Sequence, residues 1–299
     1  MIALRLEGNP VIRPEMFSNS DGGNINGPSL IRAPDWLHVK LGNFYLYFGH
    51  HQGEYIRMAY ADRLEGPWSI YKGGVLRLAA VPRASGHLAS PDVVVLNHER
   101  IIRMYFHTYL DNKQKTLAAI SKNGLLFEVR AGPVLGKAYF KAIQWRQQWV
   151  GIASDGRLYG SPDGIKPYIP IDNAPCIVDK LPKPNASLRH CALRGGTNWI
   201  EIYYTLIGDC PERVWRCRIS VTDDGKWVYG PHEIILEPKY WWEGAELPKV
   251  ASKKGMALAM ENGVRDPAIV ELEANAFITY AVAGEAGIGV ALLEETSNI

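Results

Sequence analysis

One short unit recurs five times along this chain, and copies of such a unit bury their strands only by packing against one another. Each copy has a strand opened by a turn residue, a second strand rich in Tyr and Phe, and a third strand. The first copy begins Gly27-Pro28-Ser29-Leu30-Ile31, continues Asn43-Phe44-Tyr45-Leu46-Tyr47-Phe48 and ends Tyr55-Ile56-Arg57-Met58-Ala59-Tyr60. The second has Ser90-Pro91-Asp92-Val93-Val94-Val95, Ile101-Ile102-Arg103-Met104-Tyr105-Phe106 and Thr116-Leu117-Ala118-Ala119-Ile120. A weaker third has Tyr139-Phe140-Lys141-Ala142-Ile143 and Gln148-Trp149-Val150-Gly151-Ile152. The fourth has His190-Cys191-Ala192-Leu193 and Trp199-Ile200-Glu201-Ile202-Tyr203-Tyr204, and the fifth Asp266-Pro267-Ala268-Ile269-Val270 and Ala276-Phe277-Ile278-Thr279-Tyr280. Turns at Asn123-Gly124, Asp163-Gly164 and Asp224-Gly225 follow third strands. Five copies at about four strands each predict an all-β, five-bladed β-propeller, read as one domain over 1–299. The fifth copy ends on its third strand, Gly287-Ile288-Gly289-Val290-Ala291-Leu292. The alternating Ile2-Ala3-Leu4-Arg5-Leu6 is then expected to supply the fourth, closing the ring and removing two open edges. The competing arrangement is an open β-sandwich with an unpaired N-terminus.

Composition narrows the function. Apolar residues at 47% and charged residues at 21% describe a globular chain, and a net charge of +2 gives no sign of a nucleic-acid partner. No run of 18 apolar residues predicts a membrane span, and Met1 to Glu7 lacks the pattern of a signal peptide, so a cytoplasmic protein is expected. Cys176, Cys191, Cys210 and Cys217 lack paired CxxC spacing; free thiols are expected, with a Cys210–Cys217 bridge as the alternative in an exported protein.

Propeller geometry puts the start of each inner strand and the end of each second strand on one face. The strand starts offer Asn26, Asp92 with His87, Tyr139 with Lys141, Arg189 with His190, and Arg265 with Asp266. The strand ends offer His50, His51, His107 and Glu285. Five of the eight histidines fall on this face, which predicts a polar central funnel. Asp92 and Asp266, each beside a proline, are read as acids in equivalent positions of the repeat, with turn-starting carboxylates as the alternative. Arg265 is expected to fix Asp266. The segment Trp241-Trp242-Glu243-Gly244-Ala245-Glu246 joins indoles to carboxylates, a combination suited to stacking a sugar and raising a carboxyl pKa; core packing beside a solvated acid is the alternative.

These residues resemble the five-bladed propeller glycoside hydrolases of families 43 and 117, which include arabinanases and arabinofuranosidases. The likeness lies in Gly27-Pro28-Ser29-Leu30-Ile31, Ala59-Tyr60-Ala61-Asp62 with Gly66-Pro67-Trp68, Ser90-Pro91-Asp92-Val93 and Arg265-Asp266-Pro267-Ala268-Ile269. It implies hydrolysis of a glycosidic bond. The chain departs from family 43 in two places: Asn26-Gly27 stands where an Asp base opens the first blade, and Tyr139 to Lys141 where an acid opens the third. Family 117, in which histidine shares the acid role, fits the His-rich face better.

The expected function is therefore an exo-acting glycoside hydrolase on a terminal sugar of arabinofuranoside, xyloside or galactoside type. Its catalytic candidates are Asp92, Asp266, Glu246 and Glu243. Asn26, His50, His51, His87, His107, Arg189, His190, Trp242, Arg265 and Glu285 are the candidates for binding a small or oligosaccharide substrate. No cofactor is expected. One alternative is a divalent cation held by His50, His51, His107 and His190 with Asp92 or Asp266, which no HxH or HExxH spacing supports. A second is a sugar-binding propeller without turnover. A third is phosphorolysis, which would need a phosphate pocket from Arg189, His190 and Lys141.

Overall fold

The computed structural model describes residues 1–295 other than 19, 131 and 185. Five antiparallel sheets are assembled in chain order as blades I to V. Blade I runs Asn26–Arg32, Phe44–Gly49, Tyr55–Ala61 and Ser69–Arg77 from axis to rim. Blade II runs Ala84–Leu96, Ile101–Leu110 and Lys113–Ser121, with the short Glu128–Val129 and Gly136–Lys137 outside. Blade III is Lys141–Trp145, Gln148–Ile152, Leu158–Ser161 and Ile169–Pro170. Blade IV is Ser187–Gly195, Trp199–Ile207, Val214–Val221 and Trp227–Leu236. Blade V takes Arg265–Leu272, Asn275–Val282 and Gly287–Glu294 from the end of the chain and Ile2–Arg5 from its beginning.

The ring closes as the sequence predicts. Ile2 to Arg5 pair antiparallel with Glu294 to Ala291, so blade V holds both ends of the described chain in one sheet. The propeller also explains why the second strands read as unbroken apolar runs rather than alternating ones: both faces of each blade are covered. In Phe44–Gly49, Tyr45 and Tyr47 pack toward blade II with Met58, Met104 and Phe106, while Leu46 and Phe48 pack toward blade V with Ile288 and Val290. The other three junctions are filled by Tyr105, Phe140 and Trp149 between II and III, by Trp145, Ile152, Ile202 and Trp215 between III and IV, and by Tyr203, Val264, Ile278 and Tyr280 between IV and V. Tyr47 and Tyr105 keep their buried hydroxyls satisfied at the neighbouring blade's outer turn. Tyr47 Oη donates to Gly124 O at 2.9 Å, and Tyr105 Oη to Gly164 O at 2.8 Å. The four cysteines are free thiols. Among the described residues no helix is long and apolar enough to cross a membrane.

The Trp-Trp-Glu segment belongs to the closure of the ring rather than to the funnel. Trp241–Glu243 forms a 3-10 turn in the crossover from blade IV to blade V. Glu243 is fully buried; its Oε1 accepts from Arg5 Nε at 3.1 Å and Tyr280 Oη at 2.8 Å, and its Oε2 from the backbone of Lys239 at 2.8 Å. It thereby clamps the first strand of the chain to blade V. Trp242 is buried and stacks on Tyr240 with centroids 5.6 Å apart, whereas Glu246 is exposed. The expectation that Glu243, Glu246 and Trp242 build a sugar site is corrected: two are structural and the third faces solvent. Removing one partner of a buried ion pair strands the other charge, so Glu243→Leu is expected to cost about 3–5 kcal/mol in denaturant unfolding. Glu246→Gln is expected to stay within about 0.5 kcal/mol of the parent, and equal stability of the two variants would overturn the clamp.

Candidate active site

Every inner strand carries a β-bulge where it enters the funnel. Between matched pairs, Gly27 and Pro28 oppose a single residue, as do Ser90 and Pro91, Arg189 and His190, and Asp266 and Pro267. In blade III, Tyr139 and Phe140 do the same between the Lys141–Ile152 pair and the hydrogen bond from Ser154 N to Ala138 O. The first bulge residue adopts left-handed φ in four blades: +57° at Gly27, +48° at Ser90, +57° at Tyr139 and +55° at Asp266. Such a bulge re-aims its side chain, and the proline that follows in three blades has no N–H to leave unpaired. Blade I uses glycine because a Cβ there would come within 3.1 Å of Ser90 Cα. For the other three, left-handed backbone costs about 1–2 kcal/mol each, the kind of strain that collects at functional sites.

The register corrects one equivalence read from the sequence. Asp266 aligns with Gly27, Ser90, Tyr139 and Arg189 in an upper layer. Asp92 instead aligns with Ser29, Lys141, Cys191 and Ala268, one layer deeper along the axis. The proline precedes Asp92 but follows Asp266, and that difference separates the two layers.

In the upper layer Asp266 and His190 form a carboxylate–imidazole pair. Asp266 Oδ1 meets His190 Nδ1, and Asp266 Oδ2 accepts from Gly27 N at 2.9 Å. Burial alone would raise the Asp266 pKa, but His190, the Gly27 N–H and Arg265 outweigh it and hold the carboxyl far below its usual range. Asp266 is therefore a fixed anion. With Nδ1 turned to this anion, His190 presents Nε2 as its remaining polar atom. His190 and Asp266 line a small cavity with Gly27, Ser90, Tyr139 and Lys141.

A chain of rings continues from His190: Tyr139 lies 4.8 Å away between centroids, His107 4.6 Å from Tyr139, and His87 5.5 Å from His107. Both ring nitrogens of His107 and Nε2 of His87 are buried without a hydrogen-bond partner, so they await a ligand or solvent. Burial, then the neighbouring histidines, push His107 well below the ordinary imidazole pKa, and burial lowers His87 too. Both are neutral at pH 7, able to donate and accept at once.

Asn26, His51 and Glu285 form the opposite wall. His51 Nδ1 lies 2.9 Å from both Asn26 Nδ2 and Glu285 Oε2, and Asn26 Nδ2 donates to Asn24 Oδ1 at 2.6 Å. Burial opposes a charge on His51, yet the hydrogen bond and attraction to Glu285 prevail and raise its pKa; burial likewise opposes ionised Glu285, which His51 and Arg265 hold below its usual value. Behind this wall, Glu212 is buried between Arg265 Nη2 at 2.9 Å and Arg189 Nε at 2.8 Å. Burial raises its pKa against the pull of both guanidiniums.

The two arginines are thus scaffold, not substrate clamps as expected. Arg189 also donates to Gly255 O at 3.0 Å and to Lys253 O. Arg265 pairs with Glu212, Glu261 and Glu285 rather than bonding Asp266. Lys141 Nζ donates to Pro91 O at 2.8 Å and lies 3.6 Å from Asp92 Oδ1, so the cations a phosphate pocket would need are engaged. His50, expected in the funnel, lines a separate pocket beside it. Among the described residues no three His, Cys, Asp or Glu side chains converge as metal ligands. Sequence reading passed over Asn24 and Glu212. Asn24 lies two residues before the inner strand of blade I and Glu212 in a loop, so strand periodicity marks neither.

Asp92 lines a second cavity of about 70 Å³ on the axis, with Ser29, Lys141 and Ala142. Its Oδ2 accepts from Ala142 N at 2.8 Å, and burial raises its pKa against the opposing pull of Lys141. The two cavities share Lys141.

No protein-family model matches the chain. It is 31% identical over 326 residues to the uncharacterized protein R118 of Acanthamoeba polyphaga mimivirus, covering 98% of this chain and 90% of that one. Among solved structures it is similar to a glycosyl hydrolase from Bacteroides ovatus, with a TM-score of 0.67 at 13% identity over 98% of this chain and 93% of that one. A thermostable family-43 glycoside hydrolase gives 0.65 at 14% identity over 98% and 95%. A structure from family 130, described as mannoside phosphorylases that include hydrolases of β-1,2 mannosidic linkages in Candida mannan, gives 0.67 at 11% over 99% and 95%. The fold expected from the sequence, the five-bladed propeller of glycoside hydrolases, is the fold observed.

The His51–Glu285 pair sets a pH dependence. His51 is raised in the folded chain, so its contribution is complete below its unfolded pKa of about 6.5 and is lost as pH rises through the higher folded value. Unfolding free energies of the parent and His51→Gln should therefore differ most below about pH 6.5 and converge as pH rises through the higher folded value of His51. A difference that grows with pH would show that His51 is not held as a cation.

Proposed function

This chain belongs to one family with the uncharacterized protein R118 of Acanthamoeba polyphaga mimivirus, and from the funnel we propose that it is an exo-acting glycoside hydrolase. The observation that carries the reading is the His190–Asp266 pair, set on a strained bulge and facing a small cavity, with the partnerless ring nitrogens of His107 and His87 following beyond Tyr139. Asp266 cannot serve as the general acid because it stays ionised; it orients His190 and stabilises the imidazolium, as the carboxylate of a triad does. His190 Nε2–H protonates the glycosidic oxygen as the bond to the anomeric carbon breaks. Asp92, facing the axial cavity, takes the proton of the water that adds to that carbon, and the products are the free sugar and the released alcohol. The cavity of about 70 Å³ has room for such a water beside Asp92 and Ser29. Neutral His87 and His107, with Asn26, bind sugar hydroxyls. This assignment follows the family 117 side of the resemblance, where histidine shares the acid role. Exo action is favoured by the narrow funnel floor, ringed by residues of all five blades, which suits a chain end better than an internal segment.

The test is hydrolysis of aryl glycosides of arabinofuranose, xylose, galactose, glucose and fucose in both anomers. Loss of a general acid or base costs about 10²–10⁴ in rate. His190→Gln and Asp92→Asn are expected to lose that much, and Asp266→Asn to lose turnover through misorientation of His190. Glu246→Gln should retain full activity. Undiminished turnover in His190→Gln would refute the assignment. Asn26 and Lys141, standing where family 43 carries acids, favour a second reading, a sugar-binding propeller without turnover. Silence of the parent protein across the panel, together with a rise in melting temperature on adding sugar, would select it.

A further inference from the structure

A pocket of about 540 Å³ opens beside the funnel, between the turn joining the second and third strands of blade I and the crossover from blade IV to blade V. Asn24, His50, Gln52 and Glu54 line one side, Met256 and Leu258 the other. It adjoins the candidate site directly. Asn24 Oδ1 accepts from Asn26 Nδ2 and from His51 N, and Ala257 abuts Gly284, next to Glu285.

Its two sides differ in chemistry. His50 Nδ1 accepts from Gln52 N at 2.9 Å, so its proton sits on Nε2 as a donor. Gln52 and Glu54 are exposed and add further donors and acceptors. Opposite them stand Met256, Ala257 and Leu258, the last 87% exposed, on a crossover otherwise anchored by Arg189 and by Ser252 N to Asp209 O. An apolar wall facing hydrogen-bonding groups is the pairing a sugar ring requires, with its C–H face against one side and its hydroxyls toward the other. Arg57, the one arginine or lysine in the lining, spends its terminal nitrogens on the carbonyls of Asp21, Asn24 and Gly49. An anionic sugar would find no free cation there and would meet Glu54.

We propose that this pocket is a second saccharide subsite, holding an uncharged sugar unit of an oligosaccharide whose terminal unit occupies the funnel. The proposal rests on the glycosidase reading and extends it from a terminal sugar to a neutral oligosaccharide. His50, placed by the sequence among the funnel residues, takes its role here.

The experiment is calorimetric titration of the full chain with thio-linked trisaccharides of xylose, arabinose and mannose, which resist hydrolysis, with their monosaccharides and with trigalacturonate. The best neutral trisaccharide should bind about tenfold or more tighter than its monosaccharide. The Gln52→Ala/Leu258→Ser variant, altered at two exposed positions, should erase that gain and leave monosaccharide affinity as it was. A trisaccharide preference that survives the double variant would overturn the subsite while the funnel reading stands. Trigalacturonate binding as tightly as the neutral probes would overturn the neutral class. Absence of binding by every saccharide would overturn both the subsite and the glycosidase reading.

Discussion

The bulge at the mouth of each inner strand is the constraint on which the site depends. Five strands converge on one axis, and a regular pleat would send alternate side chains into the blade junctions and leave little to aim along the funnel. Two residues opposing one interrupt that alternation at the same height in every blade. The blades then differ only in what they place there: glycine where backbones touch, serine, tyrosine, arginine and one aspartate. The left-handed backbone at Asp266 is sustained by packing on both sides and by the Gly27 N–H that fixes its carboxylate.

Charge compensation is the second organising fact. Ionised groups removed from water must be paired, and the funnel walls obey this closely. Glu212, Glu261 and Glu285 absorb Arg265; Glu212 and two backbone carbonyls absorb Arg189; Asp92 and Pro91 O absorb Lys141. Among the described residues, neutral His87 and His107 keep buried ring nitrogens without a hydrogen-bond partner. A site with its charges already matched and with neutral imidazoles at His87 and His107 is suited to hydroxyl groups.

Legibility tracked the range of the interaction. The five copies, their strand order and the closing strand Ile2–Arg5 were legible because alternation, turn residues and repetition are local signals, and pairing within a blade is sequential. The funnel histidines His51, His87, His107 and His190 were legible because strand polarity assigns them to one end. Glu243 misled because a carboxylate beside tryptophans looks alike in a sugar cleft and in a core; its partner Arg5 lies 238 residues away. His50 misled because adjacent residues at a strand end diverge, and its ring was captured by the Gln52 N–H.

By itself, then, the sequence determined the architecture: five sheets, a shared axis, a closed ring and a face rich in histidine. These follow from hydrophobic period, turn chemistry and repeat count, which act between neighbours along the chain. Only the tertiary structure decided where each acid lies and which groups it is paired with. It paired Asp266 with His190 across a blade boundary, set Asp92 one layer below, buried Glu212 between two arginines and moved Glu243 to the ring's clasp. The physical reason is that a carboxyl's role is set by its burial and its partners, and those partners arrive from other blades only when the ring has closed.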